Sequence, residues 1–215
     1  MSDKILRQDV LDELEFEPSL DAAHIGVTVD SGVVTLTGHV ASYAEKIAAE
    51  KAARRVRGVR AIAQEIHVQS SRDTKFSDDA LAMRAADILS WNIQVPSDTI
   101  KITVQDGWAT LTGDVDWQYQ RQAAEDDIRR LSGVRGVHNE IKINPQLHIA
   151  DVQKRIEDAL KRSAAVEAKG IHVTAADGKV TLRGTVHSWD ERFAVESAAW
   201  SAAGVHAVED FLTIG

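Results

Sequence analysis

The chain has 215 residues, 44% of them apolar and 27% charged, an ordinary globular balance with room for two or three small domains. It has no Cys, which excludes disulfides, thiolate catalysis, zinc-thiolate sites and iron–sulfur clusters. The net charge of −8 argues against a duplex nucleic-acid binder, whose surface is normally basic. The opening stretch MSDKILRQDVLDELEFEPSL alternates acids and bases and has no signal-like apolar core, and no window approaches a membrane span. The expectation from these features is a cytoplasmic protein, with peripheral membrane association open to it.

The chain writes one unit three times. GVVTLTGHV begins at Gly32, GWATLTGDV at Gly107 and GKVTLRGTV at Gly178. With offsets of 75 and 71, residues 3–68, 78–143 and 149–214 align over 66 positions without a gap. Thirteen positions are identical in all three; in copy one they are Asp12, Leu14, Ile25, Thr28, Gly32, Thr35, Leu36, Gly38, Val40, Ala48, Glu50, Gly58 and Val59. Polar connectors at 69–77 and 144–148 separate the copies. The expected domains are therefore 1–70, 71–145 and 146–215.

Each copy opens with a helix whose apolar residues recur at helical spacing: Leu6, Val10 and Leu14; Leu81, Ala85, Ile88 and Leu89; Val152, Ile156, Ala159 and Leu160. A strand with strict alternation follows: Ile25, Val27, Val29; Ile100, Ile102, Val104; Ile171, Val173, Ala175. Gly32, Gly107 and Gly178 then sit in hairpin turns, because glycine reaches positive φ without steric cost. The next strand turns Val34 and Leu36 inward, with their counterparts Ala109 and Leu111, and Val180 and Leu182. A second helix is expected at 42–56, 117–131 and 188–202. Its inward stripe is Ala49, Ala53, Val56; Ala124, Ile128, Leu131; Val195, Ala199, Ala202. Gly58, Gly133 and Gly204 read as its C-terminal glycines. A last strand carries Ile62, Ile66 and Val68 and their counterparts. The fold expected is α+β: three tandem αββαβ domains, each a three-stranded sheet with two helices on one face, the β-α-β crossover right-handed. Gly38, Gly113 and Gly184 complete the set of structural turn glycines.

The αββαβ order, the GxVTLxGxV hairpin and the ending Gly133-Val134-Arg135-Gly136-Val137-His138-Asn139-Glu140-Ile141-Lys142-Ile143 resemble the BON domain, named for bacterial OsmY and nodulation proteins. Copies one and three depart from it at the Asn, with Gln64 and Asp210, and copy three has Phe211 where the others have Glu65 and Glu140. The resemblance implies non-enzymatic modules of osmotic and envelope stress that bind phospholipid surfaces. It also implies relatives that act as chaperones or as cytosolic potassium binders.

The residues offer little chemistry. Gly178-Lys179 is followed by Val180, and Val173 stands where a phosphate loop needs its first Gly. There is no GxSxG and no HExxH. The eight His, at 24, 39, 67, 138, 148, 172, 187 and 206, show no i, i+2 or i, i+4 spacing and read as surface strand and turn residues. Glu50, Glu125 and Glu196 each follow a base by four residues (Lys46, Arg121, Arg192), which reads as an i, i+4 ion pair. No catalytic, cofactor or metal residue is assigned, and no enzyme activity is expected.

Two surfaces are candidates for binding. Lys46, Lys51, Arg54, Arg55, Arg57 and Arg60 make the second helix of copy one basic, a dock for anionic headgroups. The sheet face opposite the helices carries Thr35, Thr110 and Thr181 together with Val33, Trp108 and Phe211, a face for a partner or a neighbouring domain. The function expected is a stress-related binding protein directed to a membrane-lipid surface or an envelope-associated protein. Its alternatives are a chaperone-like holder of unfolded clients and a cytosolic potassium sensor.

Overall fold

The computed structural model describes residues 2–69, 77–144, 151–163, 166 and 170–215. Most of both connectors, and with them the boundaries expected at 70/71 and 145/146, lies outside the described residues. Copy one runs α1 (Asp3–Phe16), β1 (Ile25–Asp30), β2 (Val33–Val40), α2 (Tyr43–Arg55) and β3 (Ala61–Val68). Copy two runs α3 (Asp78–Trp91), β4 (Ile100–Gln105), β5 (Trp108–Val115), α4 (Gln118–Arg129), β6 (Gly136–Asn139) and β7 (Lys142–Ile143). Copy three runs α5 (Val152–Arg162), β8 (His172–Ala176), β9 (Lys179–Val186), α6 (Trp189–Trp200) and β10 (Ala207–Ile214).

The middle strand of each copy is the hairpin's second strand. In copy one β1 pairs antiparallel and β3 parallel with β2; β8 and β10 flank β9 in the same way. Alternation along β2 gives one face to the helices: Val34, Leu36 and Val40 are buried, together with Leu6, Val10 and Leu14 from α1 and Ala49, Ala52 and Ala53 from α2. Three alanines let α2 lie close on the sheet. Ile156, Leu160, Val180, Leu182, Val195 and Ala199 build the same core in copy three, and Leu81, Ala85, Leu111, Ala124 and Ile128 are buried in copy two. Among the described residues, copies one and three are thus each two layers, with both helices on the same face of the sheet.

Each hairpin turn has two successive residues at positive φ: Ser31 (52°) and Gly32 (80°), Asp106 (51°) and Gly107 (79°), Asp177 (49°) and Gly178 (76°). That is the two-residue turn whose twist matches its strands. In two copies the first residue of the leading helix clasps it. Asp3 accepts hydrogen bonds from the N–H groups of Ser31 (2.9 Å) and Gly32 (3.3 Å), and Asp78 from those of Asp106 (2.7 Å) and Gly107 (2.9 Å). The corresponding residue of copy three is Ile149, outside the described residues. Asp78→Ala should cost about 1–2 kcal/mol, since two amides lose a charged acceptor. Urea denaturation of the variant against wild type measures it; an unchanged midpoint would mean that water replaces the carboxylate without loss.

Gly38, Gly113 and Gly184 answer to a tighter constraint. They lie at φ of 113°, 129° and 138°, and a Cβ there would come within 2.0 Å of the carbonyl oxygen of His24, 2.0 Å of that of Thr99 and 2.2 Å of that of Gly170. The middle strand presses there on the backbone entering the first strand.

Two expectations are corrected and one is refined. The second helices end at Arg55, Arg129 and Trp200, so Gly58, Gly133 and Gly204 fall beyond them. These glycines shape the turn that runs under the hairpin, where the N–H groups of Arg60, Arg135 and His206 bond to the carbonyls of Gly32, Gly107 and Gly178 at 2.9 Å. The last strand of copy two is interrupted: β6 and β7 both lie against β5 and together take the place of the third strand. Between them the N–H of Glu140 bonds to the Leu111 carbonyl at 2.8 Å. The bases four residues before the recurring glutamates reach across to the last strand: Lys46 Nζ to the Ile66 carbonyl (2.8 Å), Arg121 to the Asn139 carbonyl (3.2 Å) and Arg192 Nε to the Asp210 carboxylate (2.6 Å). Glu50 pairs with Arg54.

Candidate functional site: the open sheet faces

The side chains that point away from the helices differ between copies although the backbone does not. In copy one the face carries Thr28 directly opposite Thr35, with Val33 at 41% exposure beside Ala61. In copy two the position of Val33 is Trp108, 44% exposed. Its ring lies across Gly136, where a Cβ would meet it at 2.2 Å, and stacks on His138 at 4.9 Å between centroids with the planes 15° apart. A glycine in the last strand therefore allows the indole to lie flat on the sheet. In copy three that position is Lys179, paired with Glu209 at 2.6 Å; Lys179 holds the Glu209 carboxyl below the usual carboxylate range. Phe211 stands opposite Arg183, whose guanidinium lies 5.2 Å from the ring centroid, and is 56% exposed. Thr35, Thr110 and Thr181 are half-buried in the middle strands.

The structure thus puts Val33, Trp108 and Phe211 on open faces, each on its own copy. Copy two holds a flat aromatic pair, copy three an aromatic under a cation, copy one a threonine and valine surface.

The basic set of copy one is divided. Lys46 is spent on the Ile66 carbonyl and Arg54 on Glu50. Arg55 bonds to Glu13 (2.7 Å) and Glu17 (2.9 Å) on the first helix and its cap. Ser19, and after it Arg55, hold the Glu17 carboxyl below its ordinary range, and the two glutamates keep the Arg55 guanidinium firmly charged. Lys51, Arg57 and Arg60 carry no ion pair among the described residues. The bases form one basic face along the sequence, but Lys46 and Arg55 brace α2 against β3 and α1, and Arg54 pairs within α2.

The position read as the family's Asn has a structural task. Asn139 Nδ2 donates to the Arg121 carbonyl (3.1 Å) and to Glu125 (2.9 Å), while its Oδ1 accepts the N–H of Ile141 (3.2 Å). Gln64 makes the equivalent bonds to the Lys46 carbonyl (3.3 Å) and the Ile66 N–H (3.4 Å). Asp210 accepts from the Leu212 N–H (2.8 Å) and meets Arg192 instead. The departures keep the link between the second helix and the last strand.

Sequence reasoning passed over the end of α3. Trp91 is 85% exposed and Ile93 101% exposed. Both lie past the buried stripe, and the signal was available: large apolar residues at positions that continue no helical or strand face. The neighbourhood of His24, His39 and His67 likewise has no signal in their sequence spacing.

Family comparison finds the BON domain at residues 2–70, 77–145 and 148–215. The Osmotically-inducible protein Y of Escherichia coli (strain K12) is 31% identical over 151 residues, covering 66% of this chain and 73% of that protein. Among solved structures, CdsD, a structural protein of the type III secretion system of Chlamydia trachomatis, aligns over 98% of this chain and 92% of its own at 18% identity, with a TM-score of 0.28. The C-terminal domain of the same protein aligns over the full length of both chains at the same identity and score. That score is too low to equate the structures as wholes. No described helix is long and apolar enough to cross a membrane. The three matched segments take in both recurring hairpin glycines and the last strand of every copy, and the chain belongs to the BON family, with three BON domains in tandem.

Proposed function

We propose that this chain is a non-catalytic binding protein of osmotic stress that takes hold of protein partners through its open sheet faces. The observation that carries this reading is Trp108, held flat over Gly136, stacked on His138 and still 44% exposed. A rigid aromatic that needs no reordering loses little entropy on contact and gains from burying the surface it still exposes. Phe211 supports the same reading in the third domain. The stress context is taken from the relative's name, Osmotically-inducible protein Y.

Burying one such side chain is worth about 1.5–3 kcal/mol. Trp108→Ala should therefore weaken capture of an unfolded client, such as reduced carboxymethylated lactalbumin, by roughly tenfold or more, with little dependence on salt. Fluorescence anisotropy of the labelled client at low and high salt measures it. Client binding that survives Trp108→Ala together with Phe211→Ala would end this reading.

A second reading, attachment to an anionic membrane surface, is favoured by Trp91 and Ile93 at the end of α3 and by Lys51, Arg57 and Arg60. It expects co-sedimentation with phosphatidylglycerol vesicles that falls in Trp91→Ala and Ile93→Ala. It also expects a fall with salt, each basic group contributing about 1 kcal/mol near the surface.

A further inference from the structure

We propose that the first domain carries a surface site for a borderline divalent transition-metal ion, of the zinc, nickel or copper class, on His24, His39 and His67. The three are far apart in sequence; a strand register sets His39 beside His67, and a ring contact sets His24 beside His39. β1 and β2 pair antiparallel as far as Ile25 opposite Gly38, and His24, the last residue of the short 3-10 turn Ala22–His24 that leads into β1, stands one residue beyond that pair with its ring against that of His39. β2 and β3 pair parallel with His39 opposite His67. Neighbouring strands are about 4.7–4.9 Å apart, so His67 stands beside His39 at that spacing.

All three side chains are exposed. In β2, Gly38 is half-buried and Val40 buried against the helices, and in β3 Ile66 is buried, so the alternation sends His39 and His67 to the open face. His24 already meets His39 edge-on, with ring centroids 4.6 Å apart and planes at 82°. The backbone there is fixed: a Cβ on Gly38 would collide with the His24 carbonyl at 2.0 Å, so β2 and the residue before β1 are held in contact.

In the rotamers seen, no group of three or more His, Cys, Asp or Glu among the described residues forms a ready ligand set. What the fold fixes is the backbone row; the remaining freedom is side-chain rotation, which exposed residues perform in picoseconds to nanoseconds. Binding would require the imidazoles of His24 and His67 to turn toward a point above His39, each nitrogen at the roughly 2.0–2.1 Å of a metal–imidazole bond, with a fourth position open to water. Imidazole nitrogen selects the zinc, nickel and copper class over calcium or magnesium, which require oxygen.

The same row exists in the other domains without the chemistry. It reads Thr99, Asp114 and Lys142 in copy two and Gly170, Thr185 and Thr213 in copy three, with Asp114 opposite Lys142 and Thr185 opposite Thr213. A scaffold used three times carries three histidines once.

The test is titration of the untagged full chain with zinc chloride by isothermal calorimetry. One saturable ion per chain is expected. His39→Gln should weaken binding by about tenfold or more, because it removes the central ligand, and His24→Gln and His67→Gln should each weaken it severalfold. His138→Gln and His172→Gln should leave it unchanged. Circular dichroism establishes that each variant is folded, and imidazole ¹H–¹⁵N spectra of the wild type should show zinc moving the ring signals of His24, His39 and His67 and no others. Zinc binding of equal strength in folded His39→Gln, or in the wild type no saturable binding tighter than about 1 mM, overturns the proposal. Ring shifts confined to the other histidines overturn it as well.

Discussion

Gly113→Ala is expected to unfold the second domain at temperatures where the first and third remain folded. The added Cβ would stand 2.0 Å from the Thr99 carbonyl oxygen, an atom of the backbone, and the residue would have to hold φ near 129°. Positive-φ strain of this kind costs about 1–3 kcal/mol before the collision is counted. Relief of the collision requires β5 to part from the chain entering β4, the antiparallel pairing on which the hairpin depends. A folded domain holds roughly 0.05–0.15 kcal/mol per residue. For a unit of 66 residues the penalty is therefore a large share of the whole. Scanning calorimetry should show one of the thermal components displaced downward by more than about 10 °C, since 1 kcal/mol moves a domain this size by roughly 4–8 °C. A single transition moved by only a degree or two would mean that strand β5 can shift to admit the methyl group, and the tight approach would lose its significance.

Leu36→Ala should be almost as damaging to the first domain. Leu36 is fully buried and sits on the central strand between α1 and α2. Replacing a buried leucine by alanine costs about 2–5 kcal/mol, the larger values where the surroundings do not collapse into the cavity. The second helix contributes only Ala49, Ala52 and Ala53 to this core, and none of them has a side chain long enough to fill a cavity. Val33→Ala is the internal control: it lies three residues away on the same strand, 41% exposed on the opposite face, and should change stability by no more than about 0.5 kcal/mol. Urea unfolding of both variants, followed by far-ultraviolet circular dichroism, distinguishes them. Comparable losses in the two would mean that the open face of copy one is covered by something in solution.

The repeat made the architecture legible. Thirteen positions shared by three copies, with alternation in the strands and three-to-four spacing in the first helices, fixed element order and helix-facing residues before any coordinate was known. Asp-Gly and Ser-Gly between two alternating runs identified the hairpins because the required positive φ is a local property of the residues at the turn. Helix ends were less legible. The glycines at 58, 133 and 204 looked like terminal caps, whereas their place is set by the hairpin turn they pack against, a contact between segments 26 residues apart in number.

The binding surfaces divide in the same way. That Trp108 and Phe211 stand off the helix face followed from period two alone. That Trp108 lies flat did not, because it depends on Gly136 in a strand reached only after a helix. Six bases within fifteen residues read as one cationic surface, yet Lys46, Arg54 and Arg55 have internal partners, two of them the glutamates of the first helix and its cap. Charge along a sequence has a sign at every position, but its availability depends on which carboxylate or carbonyl the fold brings alongside. Composition, periodicity and turn chemistry act over a few residues, and those determined three αββαβ units with their cores and turns. The clasp of Asp3 and Asp78 on the hairpins, the break between β6 and β7, and the row of His24, His39 and His67 depend on strand register and on packing across the sheet, and only the tertiary structure, where distant segments meet, decided them.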